Sequence, residues 1–286
     1  MMTNPLPAPP PRYLLLNPRH QDPQRLQTTH DVGTDKGLYV IRQPHLEQPA
    51  HWALRLIDLH KRPDLEAMSW QWRDDTRWPR EVFCGWLVTT ASPIEMVTHL
   101  ERQLVQHTPD RRRMLLRYFD PRVLDQLEHI LDDSQRRALL GPITHWTLLD
   151  IHREPHTLVR PETERHPRPI DQAQWEAIGC SDEVEHIRRA WLRYDATKPL
   201  PRDHYTIIMA WLALADHYAL NDSTDRITFV LIGAQLRWRF DMTPAFHQLM
   251  TRHRIEGLSL TIMLKTMTAR EWALIEQWKH REPYPA

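Results

Sequence analysis

The chain has 286 residues, with 37 Lys+Arg against 37 Asp+Glu, so it is formally neutral and lacks the basic excess that would favour phosphate backbones or anionic membranes. Its two cysteines, Cys84 and Cys180, lie far apart in apolar contexts, which argues against a disulfide framework or a Cys-rich zinc site and fits a reducing cytoplasm. The length allows one large or two medium domains with a sizeable core, and two is the expectation.

Met1 to Arg12 holds five of the 24 prolines and is expected to be an extended, poorly ordered arm. Tyr13 to Leu16 follows as a first strand, too short an apolar run for a signal-peptide core. Gly37 to Arg42 and Trp52 to Leu59 (after Pro49) read as further strands, and Val82 to Thr90 as another, rich in β-branched and aromatic residues. Ser92-Pro93-Ile94-Glu95 is a capping box with proline at the first helical position, and Val97, Leu100 and Leu104 repeat behind it, which predicts a helix from Pro93 to His107.

Met114 to Phe119 reads as the central strand of the lobe, ended by Asp120-Pro121. Asp120 suits an N-cap and Pro121 the first helical position, so strand should turn directly into helix; Val123, Leu124, Leu127, Ile130 and Leu131 keep helical spacing. Asp132-Asp133-Ser134 offers a second cap and Gly141-Pro142 the stop, after which Ile143 to Ile151 is the last strand. Strands interleaved with helices predict an α+β or α/β lobe over residues 13–152, a mixed sheet with helices packed on it.

Four prolines among polar residues between Pro155 and Pro169 predict a linker over 153–168. A helical lobe is expected over 169–286, with helices at Ser181 to Tyr194 (Val184, Ile187 and Trp191 on one face), Asp203 to Tyr218, Asp225 to Phe240 and Pro244 to Glu256. A final helix opens at the capping box Thr268 to Glu271 and carries Trp272, Ile275 and Trp278. The longest apolar window, Ile207 to Ala215, is too short to span a bilayer.

No stretch carries the spacing of a known chemistry. Eighteen histidines form no His-Glu-x-x-His, and His152 and His156 are the nearest approach to a ligand pair, so no metal and no cofactor is expected. Arg111-Arg112-Arg113 could meet phosphate but reads as a solvated turn without stacking aromatics. Asn221 to Asp225 lacks the glycine and closing glutamate of a calcium loop and reads as a turn that caps the next helix. With seven glycines and no phosphate loop or nucleophile elbow, an enzyme is disfavoured, and the twelve tryptophans are mainly core.

Two segments carry a resemblance. Arg117-Tyr118-Phe119-Asp120-Pro121-Arg122-Val123-Leu124, followed by Gly141-Pro142-Ile143-Thr144-His145-Trp146, resembles the signature of the type VI secretion effector adaptors, the Tap or TEC chaperones, long known only as a domain of unknown function. The resemblance extends over roughly Tyr13 to Trp278; where the family would place an Asp after the first strand, this chain has Asn17-Pro18. It implies a cytoplasmic adaptor that is not an enzyme, binds the N-terminal segment of one effector and loads it onto the VgrG spike, with no nucleic-acid or membrane partner. The rival reading is an enzyme or nucleic-acid-binding protein with an unrecognised site. Within the signature, Tyr118, Phe119, Asp120, Pro121, Gly141 and Pro142 are expected to be structural. Arg122 sits in a first helical turn, where the helix dipole does not favour a cation, so it is expected to meet a specific partner, either an internal carboxylate or the bound protein, and Arg117 is a second expected partner-binding residue.

Overall fold

The computed structural model describes residues 9–20, 36–42, 52–74, 79–194, 200–201, 203–236 and 239–277. The chain divides into two compact units, Met1–Ser181 and Asp182–Ala286. The first is α+β and the second helical among the described residues, as the sequence predicts. Most of the proline-rich arm, with Pro49 and Trp278, lies outside the described residues.

The first unit runs β1 (Tyr13–Leu16), β2 (Leu38–Ile41), β3 (Leu54–Asp58), α1 (Pro63–Asp74), β4 (Phe83–Val88), α2 (Pro93–Gln103), β5 (Val105–His107), β6 (Arg113–Leu115), α3 (Pro121–Ile130), α4 (Asp133–Leu140), β7 (His145–Leu149), β8 (Pro155–Val159) and α5 (Gln172–Gly179). Six strands form one sheet in the order β2-β3-β1-β4-β7-β8. Every neighbouring pair in it is antiparallel, where the sequence reading expected a mixed sheet. β1 is apolar at all four positions because both of its faces are covered. Tyr13 and Leu15 join a core with Met96 and Leu100 of α2, Leu124 and Leu127 of α3 and Leu139 of α4. Leu14 and Leu16 face the other way, into a second core with Leu65, Met68 and Trp70 of α1.

Three boundaries differ from the sequence reading. The helix expected to reach His107 ends at Gln103, and Val105–His107 pairs with Arg113–Leu115 as a separate two-stranded hairpin. The hairpin turn is closed by Thr108, whose hydroxyl accepts from the Arg112 N–H (3.0 Å), with Arg111 in the left-handed region (φ 63°). The expected central strand is therefore the short β6, and Tyr118 and Phe119 belong to the turn that enters α3. The segment expected as a linker holds β8, an edge strand. Asp150 accepts from the N–H groups of His152 and Glu154 (both 2.8 Å), and this turn, with Arg153 at φ 67°, folds β8 back on β7. Proline at the first position of an edge strand costs no ladder bond, so a strand here has the composition of a linker. α5 packs on α3 and lies in the first unit, so the units divide at Ser181 rather than within 153–168.

The second unit contains α6 (Ser181–Tyr194, opening at the boundary), α7 (His204–His217), α8 (Ser223–Leu236), α9 (Pro244–Glu256), α10 (Leu260–Thr266) and α11 (Ala269–Glu276). Local caps set most of these ends: Thr243 caps α9, Gly257 at φ 64° stops it, and Thr268 with Glu271 forms the capping box of α11. α10 is capped from a distance as well. The Asp225 carboxylate on α8 accepts from the N–H groups of Leu260 (3.0 Å) and Thr261 (2.8 Å) and from the Ser259 hydroxyl (2.7 Å). The core is an aromatic cluster in which Trp211 meets Phe229 edge-on (5.3 Å) and stacks near Phe240 (5.3 Å).

Gly233 lets α8 approach that cluster, since a Cβ there would stand 2.2 Å from Cε2 of Trp211. Gly233→Ala is therefore expected to destabilise the second unit by about 2 kcal/mol through overpacking, although alanine is the better helix former by about 1 kcal/mol. Thermal unfolding checks this, and an unchanged midpoint would mean that the indole ring moves aside freely.

Candidate functional site

The two signature segments meet in the core of the first unit. At β4 the ladder with β1 slips: Leu15 faces Gly85 and Leu16 faces Phe83, so Cys84 is an extra residue, a bulge. The Cys84 carbonyl accepts from the indole N–H of Trp146 on β7 (2.9 Å). Tyr118 stands edge-on to Trp146 (5.9 Å, 81°), is fully buried, and its hydroxyl donates to the Leu100 carbonyl at the end of α2 (2.7 Å). Burial, and then the neighbouring Cys84 and Glu101, push the Tyr118 phenol well above its ordinary range, while burial and the Asp120 charge do the same to the Cys84 thiol. Both are therefore neutral packing groups at ordinary pH.

Phe119 and Pro121 are buried beside Tyr118, and Asp120 is 2% exposed. Asp120 is the N-cap of α3, accepting from the Arg122 N–H (3.0 Å), but it does more than cap. Arg122 turns its guanidinium back onto the same carboxylate, Nε to Oδ1 at 2.9 Å and Nη2 to Oδ2 at 2.6 Å, and approaches Glu81 at 3.4 Å. Arg117 donates to Oδ2 from the other side (2.6 Å). Burial alone would raise the Asp120 pKa; the Arg122 and Arg117 guanidiniums and the Arg122 N–H outweigh it and hold the pKa below the ordinary value. Arg122 thus has an internal carboxylate as its partner, and its side chain is 19% exposed; that of Arg117 is 41% exposed and forms the solvent rim of the cluster.

Gly141 stops α4 at φ 55°, and a Cβ there would lie 2.1 Å from the ring of His99. That buried imidazole holds the Leu139 carbonyl through Nε2 (2.9 Å), and burial, the largest influence on it, lowers its pKa. The Gly141 carbonyl accepts from Arg160 (2.6 Å) and the Pro142 carbonyl from the Thr89 hydroxyl (2.8 Å). Each residue of the signature is thus engaged in packing or hydrogen bonding. The buried Asp120 charge is neutralised by the guanidiniums of Arg122 and Arg117.

A surface feature lies a short way off, where the sequence reading placed unbroken helix. β5, the end of α2, α4 and residues 167–170 enclose a groove of about 520 Å³. Val105, Leu116, Leu131, Leu139 and Ile170 line it, with Arg102, His107 and Arg168 among its polar residues. Gln135 ties one wall together, donating to the Pro169 carbonyl (3.2 Å) and to Gln174 of α5 (2.9 Å). The signal that could have revealed this wall is the capping box Asp171 to Gln174, which opens α5.

No curated protein and no solved structure matches the chain. Residues 12–138, the stretch from β1 into α4 that includes the Arg117 to Leu124 signature, match the model of one family, described as Domain of unknown function (DUF4123).

Proposed function

We propose that the chain is a cytoplasmic adaptor of type VI secretion, which holds the N-terminal region of one effector and loads it onto the VgrG spike without performing chemistry on it. The observation that carries this reading is the family match over residues 12–138, because it spans the strand-turn-helix signature on which the resemblance to the effector adaptors rests. The geometry supports it in a second way. Signature residues that are all engaged in scaffold bonds define a frame, and a frame shared among proteins with different clients is what an adaptor family requires.

On this reading recognition is non-covalent: apolar client surface is held out of water until it is passed on. Arg117, at the exposed rim, is a partner contact, whereas Arg122 acts mainly through the carboxylate it pairs with. Nucleic acid and membrane are not partners in this mechanism; among the described residues no helix is long and apolar enough to cross a membrane.

Co-expression with the effector tests the reading. A complex of fixed stoichiometry by light scattering, and a higher soluble yield of effector than in its absence, are expected. An effector equally soluble alone, eluting apart from this chain, overturns it.

A further inference from the structure

The groove beside the signature core has three properties that together select one kind of occupant. Its floor is apolar, formed by Val105, Leu116, Leu131, Leu139 and Ile170. Its polar lining carries the guanidiniums of Arg102 and Arg168, the imidazole of His107 and the amides of Gln103, Gln106 and Gln135, and no carboxylate lines it among the described residues. Arg168 is paired with Asp132 (2.8 Å), while Arg102 makes no ion pair among the described residues.

The third property is an open backbone edge. Among the described residues β5 pairs only with β6. The bonds from the Leu116 N–H to the Leu104 carbonyl (2.9 Å) and from the Thr108 N–H to the Arg112 carbonyl (3.0 Å) fix the parity of this hairpin. Leu104, Gln106 and Thr108 turn their backbone groups to β6, so the N–H and C=O groups of Val105 and His107 point away from it. Both residues are among those that line the groove.

We infer that this groove binds an extended acidic segment of a protein partner, in which apolar side chains alternate with Asp or Glu. The inference rests on the adaptor reading for the identity of the partner as a client protein. An extended chain alternates its side chains with period two, so one row meets the apolar floor while the other turns carboxylates to Arg102 and His107. Its backbone meets the open edge of β5, as in strand addition. A helix would keep its own backbone bonded and leave that edge unused. A nucleic-acid strand would meet the cations but find no Phe, Tyr or Trp in the lining on which to stack a base.

The test titrates the full chain with three labelled probes: a synthetic peptide alternating Val and Glu, the same peptide with Lys for Glu, and an oligothymidylate strand. The Glu peptide is expected to bind at least about 10-fold more tightly than the Lys peptide, and Arg102→Glu to remove about that factor at unchanged melting temperature, with Arg102→Lys retaining most of it. Equal binding of the two peptides, or no loss in Arg102→Glu, overturns the inference; so does tighter binding of the oligothymidylate, which would assign the cations to nucleic acid. Capture of the client by the wild-type chain and by Arg102→Glu separates the two levels. A client captured equally by both removes the groove from the account and leaves the adaptor reading standing. A client captured by neither, with the Glu peptide still preferred, removes the adaptor reading and leaves the groove as a peptide site.

Discussion

Gly85→Ala is expected to destabilise the first unit by about 4 kcal/mol or more. Gly85 follows the bulge of β4 at φ 146°, a conformation that side chains rarely adopt. A Cβ there would stand 2.2 Å from Nε1 of Trp146 and 2.8 Å from the Thr147 carbonyl. Neither neighbour can give way cheaply. The indole is held by its bond to Cys84 and by Tyr118, and Thr147 is in the β7 backbone, paired with Trp86. Gly179→Ala is the control, since nothing lies within 4 Å of a Cβ at that position. Urea unfolding followed by near-ultraviolet circular dichroism should show the transition of the first unit lost or moved far down in Gly85→Ala and unmoved in Gly179→Ala. Equal midpoints would mean that the bulge is not rigid.

Asp120→Ala is expected to cost about 3 kcal/mol, well beyond the roughly 1 kcal/mol of a lost cap, because it strands the partly buried Arg122 guanidinium. The value stands at the low end for a broken buried pair because Arg117 and Arg122 retain access to solvent. Arg122→Ala should cost less, about 2 kcal/mol, since Arg117 and the backbone N–H still hold the carboxylate. The two losses should not add, as each removes the same contact, and a double-mutant cycle with strictly additive losses would refute the pairing.

The pH dependence follows from the same geometry. The folded pKa of Asp120 lies below its unfolded value near 3.8, so its contribution is fully present above that value and disappears as pH falls through the folded pKa. Asp120→Asn keeps a capping oxygen but not the charge, so it should be less stable than wild type at neutral pH and draw level once the pH has fallen below the folded pKa of Asp120. Acid titration of unfolding for both chains supplies the measurement.

How far the sequence is legible depends on whether the determining contacts are local. Ser92 with Glu95, Asp120 with Pro121, Asp132, Thr268 with Glu271, and Gly257 place helix ends from neighbouring residues, and these ends were readable. β5 was not, because Val97, Leu100 and Leu104 continue a helical spacing up to the residue before it, and β6 was legible only in part, since Met114 to Phe119 reads as one strand of which Met114 and Leu115 alone lie in β6. α10 was missed because Asp225, far upstream, supplies part of its cap. In the signature, the cap role of Asp120 was readable. Its bonds to Arg117 and Arg122 require the turn at Tyr118 and Phe119, where the apolar run reads as strand. The groove is assembled from residues between Arg102 and Ile170 that no single segment brings together.

The central claim, that this chain delivers an effector rather than acting on a substrate, is tested most directly by measuring effector transfer into competing bacteria from a strain that lacks it. Transfer is expected to fall to background while the spike is still exported, and to be restored by the wild-type gene, with this chain itself remaining in the donor cell. Undiminished transfer from the deletion strain would contradict the account.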